Sequence, residues 1–292
     1  MAQAQRSVIT AKEPVDRLDD EAFARIAGIV NEHSGIKLPP TKRLMVEGRL
    51  RKRTQLSGCD SLADYCDYLF DRGGLEKEFG HLVDAITTNK TDFFRESDHF
   101  TVFEGVLLPS LLSLRPSGAK PKLKLWSAAS SNGAEAYTIA MVMAEARERY
   151  RNLDFSILGT DISSAMLAAG RRAIYPAQMI EPVPAEMQQR YVMRGRLPAR
   201  QDEVRIVPEL RRRVRFEALN LMDNSYPFDR DVDVIFLRNV LIYFDKATQE
   251  AVTMRLLRHL RPGGYLILGH SESMIGTNLR LPQVAPGIFQ RT

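Results

Sequence analysis

Beyond Lys122 the chain alternates between short apolar runs and stretches of helical spacing, and each run ends in small or polar residues. Leu123-Lys124-Leu125-Trp126-Ser127-Ala128 precedes a helix predicted over 134–147. Phe155-Ser156-Ile157-Leu158-Gly159 precedes one starting near Ser163, and Val232-Asp233-Val234-Ile235-Phe236-Leu237 precedes one over 246–260. Tyr265-Leu266-Ile267-Leu268-Gly269 then follows the turn Pro262-Gly263-Gly264. Strands separated by helices pair in parallel, because the crossover returns the chain to the same end of the sheet. The expected fold class is α/β, a doubly wound, Rossmann-like sheet over residues 121–292. Between residues 175 and 213 the alternation lapses. Tyr191-Val192-Met193, residues 203–207 and residues 214–219 read as short strands, and part of this stretch is expected to be an inserted antiparallel β-subdomain at about 188–213.

The first third follows a different rule. Phe23, Ile26, Ile29 and Val30, then Leu62, Tyr65, Tyr68 and Leu69, then Phe79, Leu82, Val83 and Ile86 recur at three- and four-residue spacing. That period predicts an all-helical domain over 17–88, with Asp20, Ser61 and Thr88 at cap positions and Thr41 capping a helix after Pro39-Pro40. A disordered tail is expected over 1–16, and a linker with a connecting helix over 89–120. The polar start of the chain has no apolar core of a leader. Residues 102–114, the longest apolar run, are broken by Glu104, Pro109 and Ser110 and are too short to span a bilayer. Two cysteines, Cys59 and Cys66, make no disulfide framework and have no metal-ligand constellation around them. A cytoplasmic protein with no metal is the expectation.

Charge narrows the partner. Lys plus Arg number 41 against 36 Asp plus Glu, a net charge of +5. The excess is concentrated: seven basic residues and one acid lie between Lys37 and Arg53, and five arginines and one acid between Arg205 and Arg215. At 100° per residue Lys42, Arg49 and Arg53 share one helical face within about 40°. An acidic helix or a phosphate backbone fits there, as does simple solvation. No aromatic residues interleave the cluster, which counts against single-stranded nucleic acid.

Ligands of open α/β sheets bind at the carboxyl ends of the strands. The first end, Trp126-Ser127-Ala128-Ala129-Ser130-Ser131-Asn132-Gly133-Ala134-Glu135, is a turn of small residues with one glycine. It lacks G-x-G-x-x-G, and the chain lacks G-x-x-x-x-G-K-[ST], so dinucleotides and nucleoside triphosphates are disfavoured. S-adenosylmethionine is the nucleoside ligand that has no phosphate to cradle, and its cationic sulfonium favours a nearby acid such as Glu135. A first-turn glutamate complementing the helix dipole is an equal reading. Asp161, ending Gly159-Thr160-Asp161, suits a ribose diol or caps the next helix. Asn220-Leu221 and Leu237-Arg238-Asn239-Val240-Leu241-Ile242-Tyr243-Phe244 are the other polar ends; taken alone, Tyr243 reads as a core aromatic.

Four strings in this order resemble the CheR-type chemotaxis receptor glutamate O-methyltransferases. They are Ala85-Ile86-Thr87-Thr88-Asn89-Lys90-Thr91-Asp92-Phe93-Phe94-Arg95-Glu96, the segment 125–140, Gly159-Thr160-Asp161-Ile162, and Arg238-Asn239-Val240-Leu241-Ile242-Tyr243-Phe244. The likeness runs from about Leu18 to Gln290. It implies a class I methyltransferase domain that uses S-adenosyl-L-methionine and releases S-adenosyl-L-homocysteine. Asn89, Thr91 and Arg95 would close over the cofactor, Glu135 and Asp161 hold its methionine-to-ribose side, Asn220 and Leu221 its adenine, and Leu237 and Arg238 line it. Arg95 with Tyr243 would face the substrate carboxylate. The helix bearing Arg49, Lys52 and Arg53 would meet the cytoplasmic helical domain of chemoreceptors, and the β-subdomain resembles one that tethers a receptor's C-terminal peptide in some members. A monomer that neither binds nucleic acid nor inserts into membrane is expected. Two departures stand out. Gly133-Ala134-Glu135-Ala136-Tyr137-Thr138 replaces the usual Gly-Glu-Glu-Pro-Tyr-Ser, and the loop over 194–204 is longer than in peptide-tethering members. A methyltransferase with another substrate, and a non-catalytic cofactor-binding adaptor, are the competing readings; loss of Arg95 or Tyr243 would favour the adaptor, and both are present.

Overall fold

The computed structural model describes residues 16–87, 89–116, 120–195, 201–274 and 277–292. The predicted tail (apart from Asp16), the cap at Thr88 and residues 196–200 of the long loop over 194–204 therefore lie outside the described residues. The chain divides into two compact units: described residues up to Ile29 with Leu38–Ile86, and Val30–Lys37 with Thr87–Thr292.

The smaller unit is helical. It holds most of α1 (Asp20–Ser34), a 3-10 turn (Pro40–Lys42), α2 (Arg43–Leu56), α3 (Leu62–Phe70) and α4 (Leu75–Ile86). The spacing read from the sequence lands inside: Phe23, Ile26, Leu62, Tyr65, Leu69, Leu82, Val83 and Ile86 are all buried. Ser61 caps α3, accepting a hydrogen bond from the Asp64 amide. Two predicted caps are displaced. The first turn of α1 is closed by Asp19, whose Oδ1 accepts from the Ala22 amide at 2.7 Å, rather than by Asp20. Helix α2 has no side-chain cap, because the two prolines lead in through the 3-10 turn and Thr41 is consumed within it.

The larger unit is built on a seven-stranded sheet of β1 (Lys122–Ala128), β2 (Asp154–Asp161), β6 (Val214–Ala218), β7 (Val232–Leu237), β8 (Leu260–Leu268), β9 (Gln283–Ala285) and β10 (Ile288–Gln290). The order is β6-β2-β1-β7-β8-β10-β9; β10 is antiparallel to β8 and to β9, and the other pairings are parallel. Two apolar layers cover the faces. One holds Phe103, Tyr137, Ile139 and Phe155, and the other Trp126, Val252, Leu256 and Leu266. Helices α7 (Ala134–Arg149), α8 (Ser164–Arg172) and α11 (Lys246–Leu257) are crossovers, while α5 (Asp98–Val102), a π turn (Phe103–Leu107) and α6 (Leu108–Ser113) lead into β1. Between β2 and β6 the chain makes a separate antiparallel sheet, β3-β5-β4, from Ile174–Pro176, Glu203–Ile206 and Val192–Arg194, together with α9 (Ala185–Tyr191) and α10 (Pro208–Arg211). Tyr191, read as strand, instead ends α9, and residues 214–218 join the main sheet.

One ring sets the spacing where β1 turns into α7. Cβ atoms placed on Gly133, Gly159 and Gly170 would each come within 2.9 Å of the Phe216 ring. Gly133 also has φ +87°, which glycine adopts without cost. Three glycines thus let α7, β2 and α8 close around one phenylalanine.

The basic stretch of α2 is only partly a surface. Arg53 donates to Glu78 through Nε at 2.5 Å and Nη2 at 2.6 Å, and Glu78 also accepts from the Tyr65 hydroxyl at 3.0 Å. The two charged side chains are 19% and 7% exposed. Arg49 donates to the Ile86 carbonyl at 2.5 Å and the exposed Arg51 to the Asp16 carbonyl at 2.8 Å, beside buried Glu47, whereas Lys52 is exposed. The bond from Arg53 holds the Glu78 carboxyl below the usual carboxylate range. Breaking a buried pair by removing one partner costs about 3 kcal/mol or more, so Arg53→Ala should lower the urea midpoint accordingly. A depressed carboxyl stabilises the fold above the unfolded value of about 4.3, and that contribution is lost as pH falls through the folded value. Glu78→Gln should therefore flatten the acid limb of the stability curve below about pH 4, with little change in its shape between pH 6 and 8.

Candidate active site

Asp161 joins two strand ends. Its Oδ1 accepts from the Ser163 amide at 2.9 Å and its Oδ2 from the Ser131 amide at 2.8 Å, the latter in the turn after β1. Helix α8 is capped by Ser163, which accepts from the Met166 amide, so Asp161 is not the cap. The β1 turn is bent by left-handed backbone at Ala129 and Ser131 as well as Gly133. Ser131 Oγ then donates to the Asn89 carbonyl at 2.9 Å, tying residues 89–96 to the turn at the carboxyl end of β1. The amide of Phe94 donates to Thr138 Oγ1 at 3.1 Å, and Phe93 is fully buried edge-on to Tyr175.

Arg238, just past β7, is the hub. Its side chain is 2% exposed. Nη1 donates to Glu135 Oε2 at 3.1 Å, and Nη2 donates to the Arg95 carbonyl and to Glu96 Oε2. Glu135 Oε1 accepts from Ser127 Oγ at 2.7 Å. Glu96 also accepts from Asn239 Nδ2 at 3.0 Å and from the His270 amide at 3.1 Å. Burial opposes ionisation of Glu96, but the Asn239 amide and the Arg238 guanidinium prevail and hold its carboxyl below the usual range. The guanidinium also lies 5.2 Å from the Phe100 ring centroid.

A second buried acid stands at the end of β8. Glu272 is 7% exposed. Its carboxylate accepts from the amides of Gly269, Asn239, Val240 and Leu241 at 2.6–2.8 Å. Burial pushes this carboxyl up, against the pull of those four amides. Tyr243 lies just beyond, in the 3-10 turn Leu241–Tyr243, half-buried, with its carbonyl accepting from the Lys37 amide at 3.2 Å.

The predicted residues thus fall into groups. Glu135, Arg238 and the Arg95 carbonyl share one set of hydrogen bonds, and Asp161 and the Asn89 carbonyl another through Ser131, the two meeting in the segment 89–96. Arg95 is half-buried and donates through Nη1 to the Lys90 carbonyl at 3.1 Å. Thr91 is half-buried beside them. Leu237 is fully buried in the core and Leu221 is nearly so. The Asn220 amide donates to the His33 carbonyl at 2.6 Å, and a Cβ on Gly35 would meet Met222 Sδ at 2.6 Å, so Val30–Lys37 packs along this rim. Arg49, Lys52 and Arg53 lie in the smaller unit. Glu96, His270 and Glu272 were missed by sequence reading. Two of them follow β8, a fifth strand end whose polar string Gly269-His270-Ser271-Glu272 was the available signal.

Glu96, His99 and His270 present possible metal-ligand atoms within 4.8 Å of one another. His99 is buried and neither ring nitrogen makes a hydrogen bond; burial and then Arg238 hold its imidazole below its ordinary value, hence neutral at pH 7. The Glu96 oxygen nearest His99 already carries the Arg238 cation, whose charge repels a dication. Asp161, held by the Ser131 and Ser163 amides and at the end of β2, fits the ribose hydroxyls of a nucleoside such as S-adenosylmethionine, while Glu135 shares Arg238 as Glu96 does.

Known proteins match in the same two parts. Residues 21–87 match the family described as CheR methyltransferase, all-alpha domain, and residues 89–286 the CheR methyltransferase, SAM binding domain. The chemotaxis protein methyltransferase of Borreliella burgdorferi is 34% identical over 93% of this chain and 94% of its own. Chemotaxis protein methyltransferase 2 of Pseudomonas aeruginosa is 35% identical over 92% of each chain, and the Salmonella typhimurium chemotaxis protein methyltransferase 34% over 94% and 91%. Among the described residues, no helix is long and apolar enough to cross a membrane.

Removing Arg238 would leave Glu135 and Glu96, 13% and 16% exposed, without their shared cation. Arg238→Ala should therefore destabilise the protein by about 3–5 kcal/mol in urea unfolding without any ligand present. A residue that only contacted a ligand would leave that unfolding curve unchanged.

Proposed function

Because the chain belongs to the CheR methyltransferase family, we propose that it esterifies glutamate side chains of chemoreceptors with the methyl group of S-adenosylmethionine. It is an S-adenosylmethionine-dependent methyltransferase of chemotaxis. The choice of glutamate, the receptor's cytoplasmic helical domain as partner, a cytoplasmic location and the residue roles below are our reading. One observation carries it: a single guanidinium, Arg238, bonds both Glu135 and the backbone of Arg95, so the acid suited to a sulfonium and the cation suited to a carboxylate share one support.

Bound S-adenosylmethionine supplies an electrophilic methyl group on a positively charged sulfur. Glu135 would complement that charge and Asp161 the ribose hydroxyls, its plane set by the Ser131 and Ser163 amides. Asn89, Thr91, Asn220, Leu221 and Arg238 would complete the cofactor's surroundings, with Leu237 backing them from the core. A glutamate substrate, with an ordinary pKa of about 4.3, is already ionised at neutral pH, so no general base is needed. What remains is to aim one carboxylate oxygen and to offset its repulsion by Glu135 and Asp161. Arg95 would hold the other oxygen through charge-assisted hydrogen bonds, and Tyr243 would donate one more. The exposed Lys52, with Arg49 and Arg53 on the same helix, would meet the acidic receptor helix.

Labelled S-adenosylmethionine incubated with receptor-containing membranes tests the chemistry. Base treatment of the labelled receptor should release methanol, as esters do; label that survives base would mean another acceptor. Arg95→Ala should lower turnover at least about a hundredfold, the scale of removing one charge-stabilising donor, and a near-normal rate would discard Arg95 as the carboxylate anchor. For docking, Lys52→Glu is the clean variant, because reversing Arg49, Arg51 or Arg53 would break the bonds to the Ile86 carbonyl, to the Asp16 carbonyl and Glu47, or to Glu78. The reversal should raise the receptor KM about three- to tenfold, leave cofactor affinity unchanged, and reduce the sensitivity of KM to salt.

A further inference from the structure

The segment between β7 and α11 carries Tyr243, yet little of its own regular structure holds it. Asn239 sits in the left-handed region at φ 60°, and the only helix is the three-residue turn Leu241–Tyr243. Its amides nonetheless converge. Asn239 donates to Glu272 Oε2 at 2.8 Å, and Val240 and Leu241 both donate to Oε1 at 2.7 Å. Oε2 also takes the Gly269 amide at 2.6 Å, which anchors the acid to the end of β8. On the opposite side of the same segment, Gln249 of α11 donates to the Leu241 and Phe244 carbonyls at 2.9 and 3.1 Å. The amide of Tyr243 itself donates to the Val240 carbonyl at 3.1 Å, so its position follows that of the gathered residues.

We propose that Glu272 is a positioning residue for methyl transfer: its buried carboxylate gathers the amides of Asn239, Val240 and Leu241 and so fixes the turn that presents Tyr243 to the substrate. This rests on the reading of Tyr243 as a donor to the substrate carboxylate. The chemistry of the acceptor explains why an acid stands here. A carboxylate has two oxygens that each accept two hydrogen bonds, whereas an amide has one accepting oxygen and one group that only donates. Glutamine at 272 would turn an NH2 toward either the Asn239 and Gly269 amides or the Val240 and Leu241 amides. Donor would face donor, and the turn would lose one of its two grips. The cofactor side is held mainly by Glu96 and Glu135 on Arg238 and meets the turn through the Asn239 side chain, which donates to Glu96, so displacement of the turn's backbone should reach Tyr243 first.

A double-mutant cycle with Tyr243→Phe tests this, using receptor-containing membranes and S-adenosylmethionine with the full chain. Glu272→Gln alone should lower kcat about ten- to a hundredfold, the scale of a misplaced catalytic group, while the KM for S-adenosylmethionine shifts less than about threefold. In the Tyr243→Phe background the same substitution should cost less than about twofold more, because residues acting through one another are not additive. The same fold-loss in both backgrounds would overturn the proposal, as would an unchanged kcat for Glu272→Gln. If Glu272→Gln does not fold, Gly269→Ala replaces it in the cycle. A Cβ there would stand 2.6 Å from Asn239 Nδ2 and 2.9 Å from both Glu272 Oε2 and the Asn239 amide nitrogen, displacing Asn239 from the grip with the charge retained. Its loss should show the same dependence on Tyr243, and an independent loss would count against the proposal. The two levels separate: a normal rate for Tyr243→Phe would refute Tyr243 as donor, whereas an impaired Tyr243→Phe with independent losses would refute only the role of Glu272.

Discussion

A guanidinium sealed away from water dictates much of how this active site is put together. Arg238 has only 2% of its side chain exposed, and an isolated cation at that depth would be unstable by several kcal/mol. It is tolerated because Glu135 and Glu96 flank it and because the Arg95 carbonyl accepts a further bond. The compensation is mutual, since neither acid would be comfortable half-desolvated without the cation. Helix α7, residues 95–96 and the end of β7 consequently form one electrostatic unit. Asn239 and the His270 amide extend it through Glu96 to the end of β8.

The apolar pattern was legible wherever burial has a period. Alternating strand and helix predicted the parallel sheet, and three- and four-residue spacing predicted the helical unit, because each element buries a regular face. Polar contacts follow no such period. Asn220 bonds the carbonyl of His33, 187 positions away, and Glu96 bonds Asn239 across 143. No local signal announces which of many polar residues will meet. Asp161 and Glu135 were found because the fold class says where to look, at the ends of strands. Glu272 was missed because β8 was read as a closing strand and its end was not inspected in the same way.

Charge clusters misled in an instructive manner. Lys42, Arg49 and Arg53 read as one face of a helix, yet Arg53 is bound to a buried glutamate and Arg49 to a helix-end carbonyl; Arg51 bonds the Asp16 carbonyl, while Lys52 faces solvent. A helical wheel shows direction but not depth. Long arginine side chains that start on one face can end in structural bonds, and only the remaining charges are available to a partner.

The ring of Phe216, bounded by Gly133, Gly159 and Gly170, has a consequence for how such sequences can drift. Each glycine is small because the ring is large, and the ring is large because three side chains are missing. A change at any one of these four positions alone produces either overlap or a void, so viable routes pass through compensated pairs. Among descendants of this chain Gly159, Gly170 and Phe216 should vary together or not at all, a correlated signature written by volume, while Gly133 is held besides by its left-handed backbone.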